Sequence, residues 1–120
     1  MKTWAVVGLG NNPERAAFGV AKLLQDKGHQ IIPVYPRAEI VHGETGYKSL
    51  SEIPQSVDVV DCFVNSNLVG KVVDEAIAIG AKALWLQLDV IDEQAIERAK
   101  SAGLLTVMDR CPAIEYRKRN

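Results

Sequence analysis

Three helix-periodic stretches of this chain each close on a glycine, at Gly28, Gly80 and Gly103, and an apolar run opens almost at once after each. Those runs are Gln30–Tyr35, Ala81–Leu88 and Leu104–Met108. Glycine supplies the left-handed cap that ends a helix, and β-branched residues crowded behind it favour a strand. Two further apolar runs, Trp4–Leu9 and Val57–Val64, precede the first and second helices. The order reads βαβ(β)βαβαβ, and right-handed crossovers of that length place successive strands parallel. The expected fold class is therefore α/β: a doubly wound, mostly parallel sheet with helices on both faces.

The helical stretches carry apolar stripes. Ala16, Ala17, Val20, Leu23 and Leu24 recur at helical spacing between Pro13 and Gly28, and Leu68, Val69, Val72, Val73, Ala76 and Ile77 between Asn65 and Gly80. A third helix is expected over 92–103. The crossover from Pro36 to Pro54 holds a Thr45–Tyr47 segment suited to pairing at a sheet edge. After it, Ser49 or Ser51 can cap a single helical turn that Pro54 ends. At 120 residues and 48% hydrophobic, residues 1–120 are expected to form one domain around one core.

Charge narrows the partners. Fourteen basic against fifteen acidic residues provide no field for nonspecific nucleic-acid binding, and the run Arg117-Lys118-Arg119 is confined to the terminus. No apolar run nears the roughly 18 residues of a membrane span and no leader pattern is present, so a soluble, cytoplasmic protein is expected. Cys62 and Cys111 form no CxxC and read as free thiols. The Ala- and Val-rich helix faces would tolerate a homodimer.

In such a sheet, ligands lie beyond the carboxyl ends of the strands, near the point where the winding direction reverses. The first strand ends in Gly8-Leu9-Gly10-Asn11-Asn12-Pro13-Glu14-Arg15. Asn12 is expected to cap the following helix, Pro13 to take its first position and Glu14 to complement its dipole. A tight glycine turn at a helix N-terminus collects unpaired backbone N–H groups, which suits a phosphate. The dinucleotide fingerprint wants a third glycine where Pro13 stands. The other strand ends offer Tyr35-Pro36-Arg37, Phe63-Val64-Asn65-Ser66, Gln87-Leu88-Asp89 and Asp109-Arg110-Cys111. A nicotinamide site usually carries an acid after the second strand; Arg37 there suits a phosphorylated ribose instead, as in NADP or coenzyme A.

These residues resemble the small stand-alone CoA-binding domain proteins, relatives of the nucleotide-binding part of the succinyl-CoA synthetase α subunit. The resemblance runs through Val7–Arg15, Gly19-Val20-Ala21, Ile32–Arg37, Val57–Phe63, Glu75–Ala83, Trp85–Leu88 and Val107–Cys111. It implies a Rossmann-like domain that binds coenzyme A; NADP stays the alternative that Arg37 leaves open. The turn of Gly8, Gly10, Asn11, Asn12, Pro13 and Arg15 would hold the pyrophosphate. Val34, Tyr35, Pro36 and Arg37 would line the adenosine and ribose phosphate, Phe63, Val64 and Asn65 would cover the nucleotide, and Gln87 would also contact the coenzyme. The family usually has serine at the position of Gly10, asparagine at Tyr35, arginine near Val64 or Asn65, and glycine at Asp89.

No nucleophile, general base or metal cluster accompanies these residues, so the leading reading is a noncatalytic CoA or acyl-CoA binding module. The alternatives are an NADP- or acyl-CoA-dependent enzyme subunit completed by a partner, and a degenerate regulatory domain. Asp109-Arg110 reads as an ion pair at the last turn and Cys111 as a quiet thiol. His29 and His42 stand too far apart to suggest a metal site.

Overall fold

The structure, a computed structural model, describes residues 2–108. Five strands, β1 (Thr3–Val7), β2 (Gln30–Val34), β3 (Val59–Cys62), β4 (Ala83–Leu86) and β5 (Leu105–Val107), form one sheet in the order β2-β1-β3-β4-β5. Every pairing is parallel. Three helices supply the crossovers: α1 (Ala16–Asp26), α2 (Ser66–Ala78) and α3 (Glu93–Ser101).

Successive residues of a strand face opposite sides, so each strand feeds two cores. Trp4 and Val6 of β1 and Ile31 of β2 pack with Ala17, Val20, Ala21 and Leu24 of α1. Ala5, Val7, Ile32, Val60, Cys62, Leu84 and Leu86 pack with Val69, Val73 and Ala76 of α2 and Ala95, Ile96 and Ala99 of α3. Buried on both sides, β3 has no hydrophobic alternation at all, as expected for a central parallel strand. The chain leaves β1 toward one face and β3 toward the other, which puts the reversal of winding between these two neighbours.

All three helices stop in the same way. The residue after each glycine donates its N–H back to a carbonyl five residues earlier: His29 to Leu24 at 3.0 Å, Ala81 to Ala76 at 3.1 Å and Leu104 to Ala99 at 3.0 Å. This closure needs φ > 0 at the glycine, and Gly28, Gly80 and Gly103 adopt it. Each helix is thereby turned directly into the next strand.

Two details at the edge of the sheet follow from the backbone. Pro33 sits in β2, an edge strand, with its carbonyl accepting from Tyr47 N–H at 2.9 Å; its missing N–H lies on that outer side, where no ladder bond is lost. The Thr45–Tyr47 segment does pair at this edge, through a parallel bridge between Val34 and Tyr47. Leu50–Glu52 forms the single helical turn, opened at Ser49 but with no side-chain capping bond.

At the opposite, amino end of the sheet, Asp58 ties three strands together. Its Oδ2 accepts from the N–H groups of Lys2 and Thr3 at 2.9 and 3.0 Å, and Lys82 Nζ lies 3.3 Å from Oδ1. The two backbone donors, more than the Lys82 charge, lower its carboxyl to about 2.

Candidate functional site

Two adjoining cavities open at the carboxyl ends of the strands. The smaller, about 320 Å³, is lined by Gly8, Gly10, Asn11, Asn12, Arg15, Tyr35, Arg37 and Glu39. The larger, about 730 Å³, includes Val34, Tyr35, Pro36, Phe63, Val64, Asn65 and Gln87, and shares Gly8, Arg15 and Tyr35 with the first. Of the sequence-derived site residues, Pro13 alone lines neither. Asp109, Arg110 and Cys111 lie outside the described residues.

Gly8 allows the chain leaving β1 to pass close against the chain leaving β3. Its φ is +99°, and a Cβ there would lie 2.5 Å from the carbonyl oxygen of Phe63, backbone against backbone. Gly8 N–H bonds Val34 and Phe63 N–H bonds Val7, so the three strand ends are stitched at one point.

The helix after the turn begins later than the sequence suggests. Its N-cap position is Arg15, which makes no side-chain capping bond, and no acid stands in the first turn. Asn12 instead closes a turn: its Oδ1 accepts from Glu14 N–H at 3.0 Å, and its carbonyl accepts from Arg15 N–H at 3.1 Å. Pro13 follows Asn12 in that turn, a position its fixed φ suits, so it is not the first residue of the helix. Asn-Pro is itself a turn-opening pair, and that local signal competes with helix capping.

The turn is also not entirely free for an anion. Asn11 N–H donates to Glu39 Oε1 at 2.9 Å, and Asn11 Nδ2 donates to the carbonyl of Ile40. Ala38, at φ +49°, turns the chain back so that Glu39 reaches Asn11. His42 Nε2, 2.8 Å from the Phe18 carbonyl, anchors the same loop on α1. Among the described residues, the N–H groups of Gly10, Asn12, Ala16 and Ala17 have no protein acceptor. With Arg15 and Arg37 beside them, these donors can receive an anionic group; the Glu39 carboxylate opposes one.

A side chain at Gly10 would start 2.8 Å from the flexible end of Glu39, at Oε1, and 3.3 Å from the Tyr35 ring, so it meets mainly the Glu39 carboxylate. Asp89 adopts φ +68°, a left-handed backbone conformation that favours glycine.

Several lining residues escape a reading of the sequence. Leu68, assigned to the core by its spacing, is 58% exposed and lines the larger cavity with Lys71, Val72 and Glu75, one face of α2. Lys48 and Ser49 reach it because the Tyr47 bridge carries them to the end of β2. Ala16 is likewise exposed and lines this cavity.

Gln87 is 4% exposed, and its Nε2 donates to Asp61 Oδ1. Asp61 is completely buried, and burial pushes its carboxyl up to about 8, partly offset by the bond from Gln87. The neighbouring Cys62 is a buried free thiol, raised well above its ordinary value by burial and then by Asp61. Among the described residues no three His, Cys, Asp or Glu side chains cluster as a metal site, and no helix is long and apolar enough to cross a membrane.

A doubly wound parallel sheet with cationic side chains and open amides at its switch point defines a Rossmann-like nucleotide-binding class. The chain belongs to the CoA binding domain family, whose model matches residues 2–117. It is 36% identical over 115 residues to YneT, an uncharacterised protein of Bacillus subtilis, covering 96% of this chain and 85% of that one. A solved structure of a hypothetical protein from Pyrococcus horikoshii superposes with a TM-score of 0.93 at 38% identity, over 98% of this chain and 82% of that chain. The α subunit of an ADP-forming acetate–CoA ligase II of Pyrococcus furiosus is 35% identical over 81 residues. That match takes in 67% of this chain and only 18% of the subunit.

Proposed function

We propose that this CoA-binding domain holds coenzyme A or an acyl-CoA without catalysing a reaction of its own. The observation that carries this reading is the meeting, at one crevice, of the open amides of the Gly8–Ala17 segment with Arg15 and Arg37. The pyrophosphate lies on Gly8, Gly10, Asn12 and Arg15, and Arg37 takes the ribose phosphate from the loop after β2. Tyr35, Val34, Pro36, Phe63, Val64 and Asn65 wall the larger cavity, whose volume of about 730 Å³ suits the rest of the coenzyme. In the ligase subunit the matching region is a small part of a longer chain, which is consistent with a unit that supplies binding while chemistry resides elsewhere.

Calorimetric titration with CoA, 3′-dephospho-CoA, NADP and NAD tests this. CoA is expected to bind most tightly. Arg37→Ala is expected to weaken CoA about tenfold and leave dephospho-CoA nearly unchanged, since a charge-assisted bond to the 3′-phosphate is lost. Preference for NADP or NAD would overturn the assignment.

A further inference from the structure

Asp61 lies on β3, in register with Val6 of β1 on one side and Trp85 of β4 on the other, wholly buried. Among the described residues it makes no ion pair. Its Oδ1 accepts from Gln87 Nε2, and its Oδ2 has no partner. A buried carboxyl without a counter-charge costs stability, and a β-branched apolar residue would suit a central strand better. A residue kept at such a cost next to a cavity invites a functional account.

Gln87 is the residue Asp61 holds. It follows β4 directly, lines the larger cavity, and its carbonyl oxygen Oε1 has no protein donor among the described residues. An amide offers donors at one end and an acceptor at the other. The carboxyl claims the nitrogen, leaving the oxygen for the cavity.

We propose that Asp61 is a positioning residue: by holding Gln87 Nε2 from within the sheet, it presents Gln87 Oε1 to an amide or amino N–H of the bound coenzyme. This rests on the CoA reading above. An apolar residue at 61 leaves the Gln87 amide free to turn over, and its NH₂ then meets the ligand's donor.

The test is a double-mutant cycle with CoA as the probe, using Asp61→Val, Gln87→Met and the double variant, together with NMR of the Gln87 side-chain amide. Each single variant is expected to weaken CoA about fivefold, the loss of one hydrogen bond. The double variant is expected to lose no more than either single, because Asp61 acts only through Gln87. The Gln87 NH₂ resonances, assigned by their loss in Gln87→Met, should move toward free-glutamine positions in Asp61→Val. Measured above pH 8, where Asp61 is ionised and can only accept, Asp61→Asn keeps the shape of the side chain but adds a donor that releases the fixed sense of the amide, so it answers the question if the valine variant folds poorly. Additive losses, an unchanged affinity in Asp61→Val, or Gln87 resonances indifferent to residue 61 would overturn the proposal. A wild-type protein that binds no CoA while residue 61 still governs the Gln87 amide would sink the coenzyme reading and leave the hold of Asp61 on Gln87 standing.

Discussion

Replacing Asp61 by asparagine should change how stability depends on pH, by an amount set by its burial. The carboxyl titrates at about 8 in the folded protein against an ordinary 3.8, because it is desolvated on the central strand with only Gln87 as partner. Between those values the folded state keeps a proton that the unfolded chain has released. Stability therefore falls as pH rises, by up to about 1.4 kcal/mol per pH unit, and the loss is complete once pH passes the folded value. Across the window this amounts to about 6 kcal/mol, comparable with the whole stability of a small domain. Asp61→Asn cannot titrate, so its stability relative to wild type should climb steadily between about pH 5 and pH 8. Urea unfolding followed by tryptophan fluorescence measures this, since Trp4 and Trp85 pack tilted against one another at 5.8 Å on the face that Asp61 shares. Asp58 works in the opposite sense: lowered to about 2, it contributes fully above 3.8 and loses that contribution as pH falls through 2. That acid limb is common to both proteins and drops out of the difference. Wild type and variant running parallel from pH 5 to pH 8 would refute the argument that Asp61 is buried without a counter-charge.

Two further outcomes follow from the turn. Gly8→Ala should cost about 3 kcal/mol or more in chemical denaturation, because positive φ and a 2.5 Å approach to the Phe63 carbonyl coincide there. Gly10→Ala meets mainly the movable end of Glu39 and should cost well under half as much; equal losses would contradict the geometry. Glu39→Gln keeps an acceptor for Asn11 N–H and removes a negative charge from the phosphate crevice, so CoA should bind several-fold more tightly, with the gain shrinking at high salt. An unchanged affinity in calorimetry at low salt would place the diphosphate away from Asn11.

The strands and helices were legible because their signals are local. Apolar runs bounded by Gly28, Gly80 and Gly103 mark each strand, and the left-handed glycine itself performs the closure. The start of α1 was misread for an equally local reason: one asparagine oxygen can cap a helix or close a turn, and Pro13 suits either. Leu68 shows the limit of periodicity, which identifies an apolar face without saying whether protein or cavity lies against it.

Amino-acid order alone was enough for the α/β class, the glycine turn and the cation after β2, since each depends on neighbours within a few positions. Which groups meet across the crevice depended on the folded chain. Glu39 reaches Asn11 from 28 residues away through the left-handed turn at Ala38, and Gln87 reaches Asp61 from 26 residues away because β3 and β4 lie side by side. Such contacts are set by strand register and crossover geometry, which bring distant residues within hydrogen-bonding distance and, between Asp61 and Gln87, strip the water that would otherwise satisfy them.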